Sequence, residues 1–224
     1  MKYLTQILLL FLSSVSTIGV AQETIEYGVK AGYARSSMIT EEHGAFGLSK
    51  SGFVVGAYSK IPLKGQLYFQ PEMLFIQKGD IENKEKALVS PSLFKLDTPI
   101  YYEGLLKTTT SAYYVSIPLN LLYKVNDSFG ITLGGEPSLF INESTRAKFT
   151  GIGYHFDRDQ ERGIKRFDFG LNLGLQATVG AMHLELRYTR GVLNINDDAL
   201  ASDHINSSLQ VTLGYRIIKK KGYY

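Results

Sequence analysis

The stretch Ala112-Tyr113-Tyr114-Val115-Ser116-Ile117-Pro118-Leu119-Asn120-Leu121-Leu122-Tyr123-Lys124-Val125 sorts into two faces with a period of two. Tyr113, Val115, Ile117, Leu119, Leu121, Tyr123 and Val125 share one parity, and Tyr114, Ser116, Pro118, Asn120, Leu122 and Lys124 share the other. Residues 167–179 repeat the pattern, with Phe167, Phe169, Leu171, Leu173, Leu175, Ala177 and Val179 opposed to Asp168, Gly170, Asn172, Gly174, Gln176 and Thr178. Successive side chains of a β-strand point to opposite faces, so each stretch reads as one long strand whose two faces meet different surroundings. Six further segments show the same alternation: Ile25 to Ser36, Ser51 to Ile61, Gln66 to Gly79, Phe129 to Asn142, Met182 to Val192 and Ser207 to Ile217.

The connections alternate in length. Pro62 to Gly65, Asn126 to Ser128 and Gly180-Ala181 carry the Gly, Pro, Asn and Asp chemistry of tight hairpin turns. Between them lie the much longer segments Ser37 to Lys50, Asp80 to Ser111, Glu143 to Arg166 and Leu193 to Asn206. Strict alternation places all long loops at one end of an antiparallel sheet and all tight turns at the other. Outer-membrane barrels have this asymmetry, with short periplasmic turns and long extracellular loops. The expected fold is therefore all-β: an eight-stranded antiparallel up-and-down transmembrane β-barrel, with both termini periplasmic.

The N-terminus agrees with export. Lys2 precedes a mostly apolar run from Leu4 to Leu12, and Gly19-Val20-Ala21 offers small residues for cleavage. Residues 1–21 read as a signal peptide and residues 22–224 as one barrel domain. The apolar run is too short for a transmembrane helix, and no later stretch is apolar enough to span as one. The chain has no cysteine, hence no disulfide framework. A formal charge of +3 argues against a nucleic-acid partner, and Lys219-Lys220-Lys221, the one basic run, reads as a solvated tail.

Glycine and charge decide which parity faces inward. Gly28, Gly32, Gly52, Gly56, Gly130, Gly134, Gly170, Gly174 and Gly214 all fall on the polar parity of their strands. An eight-stranded barrel is just wide enough for side chains to fill, so glycines relieve crowding inside and would only weaken strands outside. Lys30, Lys60, Glu72, Lys78, Lys124, Glu136, Asp168, Glu185, Arg187 and Arg216 share that parity. The other parity is mostly Leu, Ile, Val, Phe and Tyr, with Arg190 an exception near a loop end. Tyr33, Phe75, Tyr113, Phe167 and Tyr188 toward the loops, and Tyr27, Tyr123, Phe129 and Tyr215 toward the turns, suit two interfacial girdles.

Several of these stretches together resemble the PorT-like outer-membrane β-barrel proteins of Bacteroidota: Tyr27-Gly28-Val29-Lys30-Ala31-Gly32, Gln70 to Gly79, Tyr114 to Leu119, Asp168-Phe169-Gly170-Leu171, Leu186-Arg187-Tyr188 and Leu213-Gly214-Tyr215-Arg216. The resemblance covers nearly every strand and none of the loops. It implies an OmpX/OmpA-like eight-stranded barrel and no particular reaction. Two features depart from the family pattern: a lumenal acid within Gly135-Glu136-Pro137, and a tail of eight residues, Ile217 to Tyr224, after Tyr215-Arg216.

Glu72, Lys124, Glu136, Glu185, Arg187 and Arg216 are the candidates for a polar network across the lumen. Such charges either line an ion pathway or pair to plug the barrel, and the narrow lumen together with the penalty on unpaired buried charge favours the plug. His155 to Asp159 and Asn194 to Asp198 place oxygen and nitrogen ligands at alternate positions, but the second lacks the Gly and terminal acid of a calcium loop, and both read as turn chemistry. No metal or cofactor is assigned. His43, His155 and His204 lie in loops and His183 begins a strand, none with a fixed nucleophile, so no catalytic residue is assigned. The segment Asp80 to Ser111 is too rich in apolar residues for a disordered loop, and reads as an extended hairpin or a partner site.

These features point to an outer-membrane barrel with a structural or interaction role, displaying loops and docking periplasmic or secretion components. Its expected partners are outer-membrane lipid, lipopolysaccharide, the barrel-assembly machinery and a protein at the loops. A narrow passive pore is the alternative, and a lipid-modifying enzyme the second alternative.

Overall fold

The computed structural model describes residues 24–40, 50–89, 102–151, 154–160, 163–195 and 204–221. The expected signal peptide, His43 and Asn196 to Asp198 lie outside them. Ten strands follow in chain order: β1 (Thr24–Thr40), β2 (Lys50–Lys64), β3 (Leu67–Val89), β4 (Tyr102–Ser116), β5 (Leu119–Lys124), β6 (Phe129–Gly151), β7 (Tyr154–Gln160), β8 (Phe167–Val179), β9 (Met182–Gly191) and β10 (His204–Lys221). All described pairings are antiparallel, and β1 pairs with β10 from Thr24↔Lys221 to Thr40↔His204, closing the sheet on itself.

The ring contains eight strands because β4 and β5 are one strand interrupted at Pro118. Proline has no N–H to give to the ladder. The sheet continues across the gap, since the Ile117 amide donates to Pro137 O at 2.8 Å and the Glu72 amide donates to Pro118 O at 2.9 Å. β7 stands outside the ring, paired to the upper part of β6. The tight turns are at the expected places, with Gly65 (φ +59°) and Gly180 (φ +62°) in the left-handed region that side chains resist.

The apolar parity faces outward. Leu133, Leu171, Leu173, Leu175 and Leu213 are exposed, whereas Lys30, Glu72, Glu136 and Arg187 are buried. The thirteen residues of β8 span about 40 Å at ~3.3 Å per residue, and a tilt of about 45° projects this to somewhat under 30 Å, the height of an outer-membrane apolar band. At the loop end, Tyr33, Phe53, Phe75 and Tyr113 form a row on four neighbouring strands, with centroids 5.9 Å apart for Phe53 and Phe75 and 6.0 Å apart for Phe75 and Tyr113.

Three strands outrun their expected limits by nine or ten residues. β3 and β4 stay paired from Asp80↔Thr110 to Val89↔Tyr102, so much of Asp80 to Ser111 is an extended hairpin. β6 continues to Gly151 and turns back as β7. A bulge in β6 opposite Tyr113/Tyr114 marks the transition. Below it the outward residues are apolar (Leu133, Leu139, Ile141). Above it Arg146 and Lys148 are exposed, while Ala147 and Phe149 are buried. Polarity inverts here because the barrel wall leaves lipid and enters water, where the apolar face must turn in.

The lumen is layered. Toward the loops it is closed by an apolar cluster of Ala34, Met38, Val54, Leu74, Ile76, Ala112 and Tyr114, with Ile195 dropping in from the segment after β9. Ile195 is tied down by its amide donating to His204 O and its carbonyl accepting from the Lys165 amide, both at 2.8 Å. Lys78 packs against this cluster, opposite Ala112 and over the Tyr114 ring, and the central charged layer lies on its turn side.

Candidate functional site

Three strands bring the charges of the central layer together: Lys30 from β1, Glu72 from β3, and Glu185 and Arg187 from β9. The Lys30 ammonium donates to Glu72 Oε2 at 3.0 Å and also to Glu185. The Arg187 guanidinium reaches both acids, with Nη1 3.1 Å from Glu72 Oε2, Nη2 2.7 Å from Glu185 Oε1 and a further bond from Nη2 to Glu72 Oε1. Gln70 Nε2 donates to Glu72 at 2.6 Å, Asn120 Nδ2 at 3.3 Å, and Thr132 Oγ1 donates to Glu185 at 3.3 Å. Two cations thus face two carboxylates, all nearly inaccessible, with side-chain exposures of 2% or less. Charges this deep are tolerable only because they are matched and hydrogen-bonded.

A second layer lies nearer the loops. The Lys78 ammonium donates to Glu136 Oε1 at 3.0 Å, stands 3.9 Å from Asp168 Oδ2 and lies over the Tyr114 ring. Thr189 Oγ1 donates to Glu136 at 3.3 Å, and Asn206 Nδ2 donates to Asp168 at 2.7 Å. The two layers and the apolar lid fill the lumen with side chains. An ion crossing it would have to part these pairs.

Of the residues expected in the network, Glu72, Glu185 and Arg187 meet in the central layer and Glu136 sits in the second. Contrary to that expectation, Lys124 and Arg216 join neither layer. Both lie nearer the turns: the Lys124 ammonium stands over the Tyr68 ring at 4.4 Å, and Arg216 Nη1 donates to Glu26 Oε1 at 2.9 Å. The shared parity is right, but the height along the axis, set by strand stagger, is not readable from one strand alone. The layers also contain Lys30, Lys78 and Asp168, which share the lumenal parity but are not among the residues expected in the network. A usable signal exists for Lys30, whose ladder neighbours are Gly56 on β2 and Gly214 on β10. Glycine on both sides opens the path by which its side chain crosses the barrel. Arg187 and Glu136 likewise each lie beside a glycine, Gly174 and Gly170.

The histidines and Asx-rich loops have other roles. His183 is buried with its ring edge-on to Tyr58 at 4.7 Å, and the Gly214 backbone passes so close that a Cβ there would lie 2.1 Å from His183 Cε1. Asn194 Oδ1 accepts from the His204 amide at 3.1 Å, which is turn chemistry. On β7, Asp157 accepts from Arg146 at 2.6 and 2.8 Å and lies 3.3 Å from Lys148 Nζ. Its hydrogen bonds to Arg146 hold the Asp157 carboxyl below the usual carboxylate range. The side chain of His155 lies outside the described residues. No group of three His, Cys, Asp or Glu able to hold a metal is found among the described residues.

The sequence profile of the outer membrane protein beta-barrel domain matches residues 20–197. The chain belongs to this family. As a family member it is an outer-membrane protein, which agrees with the closed ring and the outward apolar band. Solved structures similar to this outer-membrane barrel include Ail, the attachment invasion locus protein of Yersinia pestis, at 15% identity over 87% of this chain and 99% of Ail with a TM-score of 0.45. Neisserial surface protein A is similar at 13% identity over 85% of this chain and 97% of its own, also with a TM-score of 0.45. The translocator domain of the autotransporter NalP from Neisseria meningitidis is 7% identical over 95% and 96% of the two chains, with a TM-score of 0.26. No curated protein matches the chain significantly.

Proposed function

We infer that this barrel is a sealed, PorT-like interaction protein, which acts through the sheet it raises above the membrane and conducts nothing through its lumen. The observation that carries this reading is the inversion of polarity along β6. A strand that turns its apolar face inward and shows Arg146 and Lys148 outside is built to stand in water. β3, β4, β6 and β7 continue together beyond the aromatic row, a rigid platform where a wholly disordered loop would present nothing fixed.

The pairing of lumenal charge supports the sealed state. Outer-membrane lipid meets the apolar band. Lipopolysaccharide phosphates suit the exposed, outward Arg35 and Arg190 at the loop end, where a cation facing the bilayer costs little. A protein partner, from the secretion apparatus or outside the cell, is assigned to the platform.

Photo-crosslinking in native membranes tests this, with the probe at Lys107 or Asp159 on the platform and, as control, at Leu173 in the lipid-facing band. A discrete protein adduct from the platform positions alone is the expected result. Adducts equally frequent at Leu173, or none from the platform, would refute an interaction role there.

A further inference from the structure

At the turn end the lumen opens into a cavity of about 400 Å³. Its wall carries four cations, Lys60, Lys124, Arg216 and Lys219, against two carboxylates, Glu26 and Asp127. Arg216 and Glu26 satisfy one another. Lys124 is held over an aromatic face and has no carboxylate on it. Lys60 is the informative residue. It is 4% exposed, yet its ammonium donates only to a neutral group, the Gln176 amide oxygen at 2.7 Å, and otherwise lies 5.5 Å from the centroid of the Tyr58 ring. In the layers above, each lumenal lysine is matched by a carboxylate. Glu26, the neighbour of Lys60 across the β1–β2 ladder, is held by Arg216, so no carboxylate pairs with the Lys60 ammonium. A buried ammonium without such a partner is costly, and here it lines an open cavity whose wall has two more cations than anions.

We propose that this vestibule binds a small free oxyanion of the phosphate class, held by the ammonium groups of Lys60 and Lys124. The excess of two positive charges matches a phosphate dianion, and ammonium groups are point-charge donors well suited to its oxygens. The volume accommodates the ion with some of its water. The lining residues lie on the lumenal face and in the turns, so the site opens to the aqueous periplasm and the barrel wall separates it from lipid.

Isothermal titration calorimetry of the full folded barrel with inorganic phosphate, in phosphate-free non-ionic detergent, tests the proposal. One saturable site is expected, weakened at least tenfold by Lys60→Gln and again by Lys124→Gln, and unchanged by Lys148→Gln on the outer platform. Heat-dependent gel mobility establishes that each variant is folded before titration. Absence of a saturable site, or an affinity indifferent to both Lys60→Gln and Lys124→Gln, overturns the proposal. Repeating the titration in nanodiscs of anionic phospholipid separates the possible sources: retained affinity supports a free ion, whereas affinity lost on reconstitution gives the site to a lipid headgroup and overturns it.

Discussion

Replacing Arg187 by Met keeps a long side chain in the lumen and removes the charge that joins the two acids. Arg187 makes four hydrogen bonds, two to Glu72 and two to Glu185. In its absence Lys30 alone faces both carboxylates, and one negative charge is left buried without a partner. Breaking a buried ion pair by removing one member costs about 3–5 kcal/mol. At about 1.4 kcal/mol per factor of ten, the folded-to-unfolded ratio falls roughly a hundredfold to a few thousandfold. Urea titration of the refolded barrel in lipid vesicles, followed by heat-dependent gel mobility, measures this loss. The double variant Glu185→Gln/Arg187→Met restores one cation to one anion, and so loses much less than the sum of its single changes. A loss below ~1 kcal/mol for Arg187→Met, or strict additivity in the double variant, would show that the four groups do not act as a matched network.

Further expectations concern the wall and the platform. Leu173→Arg, in the middle of the lipid-facing band, destabilises the barrel by about 2–4 kcal/mol, while Leu105→Arg, equally outward but above the aromatic row, costs at most about 1 kcal/mol in the same titration. Equal losses would contradict the placement of the membrane surface. Gly214→Ala drives a methyl group into the His183 ring and lowers the yield of heat-modifiable barrel, and His183→Ser on that background restores it. Failure of the second change to rescue would show that the close approach is not the cause. Because Arg146 depresses the Asp157 carboxyl, that pair favours the folded platform above the ordinary aspartate pKa of about 3.9, and its contribution is lost as pH falls through the lower folded value. Carboxyl-carbon NMR should show Asp157 titrating below that pKa, and Arg146→Gln should bring it back; an unchanged midpoint would refute the pairing.

The membrane wall was legible because lipid outside and a crowded lumen inside force one alternation over every strand. Residues 167–179 were read with the limits they have in the structure. Reading failed where the solvent changes. Beyond Asn142 the alternation resumes as Arg146, Ala147, Lys148 and Phe149, but with its polarity inverted and its phase shifted by a bulge, so the lower pattern alone predicts an end nine residues short of Gly151. The lumenal charges were recognised by parity, yet membership of a layer depends on stagger between strands. That is why parity alone joins Lys124 and Arg216 to Glu72 and misses Lys30, two strands away and flanked by glycines. Ile195 carried no signal at all, since a single apolar residue among Asn and Asp gives no hint that it closes the lumen.

The sealed lumen is the claim on which the functional reading turns, and conductance of the purified, folded protein in planar bilayers tests it most directly. With insertion established by heat-dependent mobility of the recovered protein, the account predicts no unitary current above the lipid background. Reproducible channel steps from the unaltered protein would contradict it, because ions would then be crossing layers that this structure fills with paired charge.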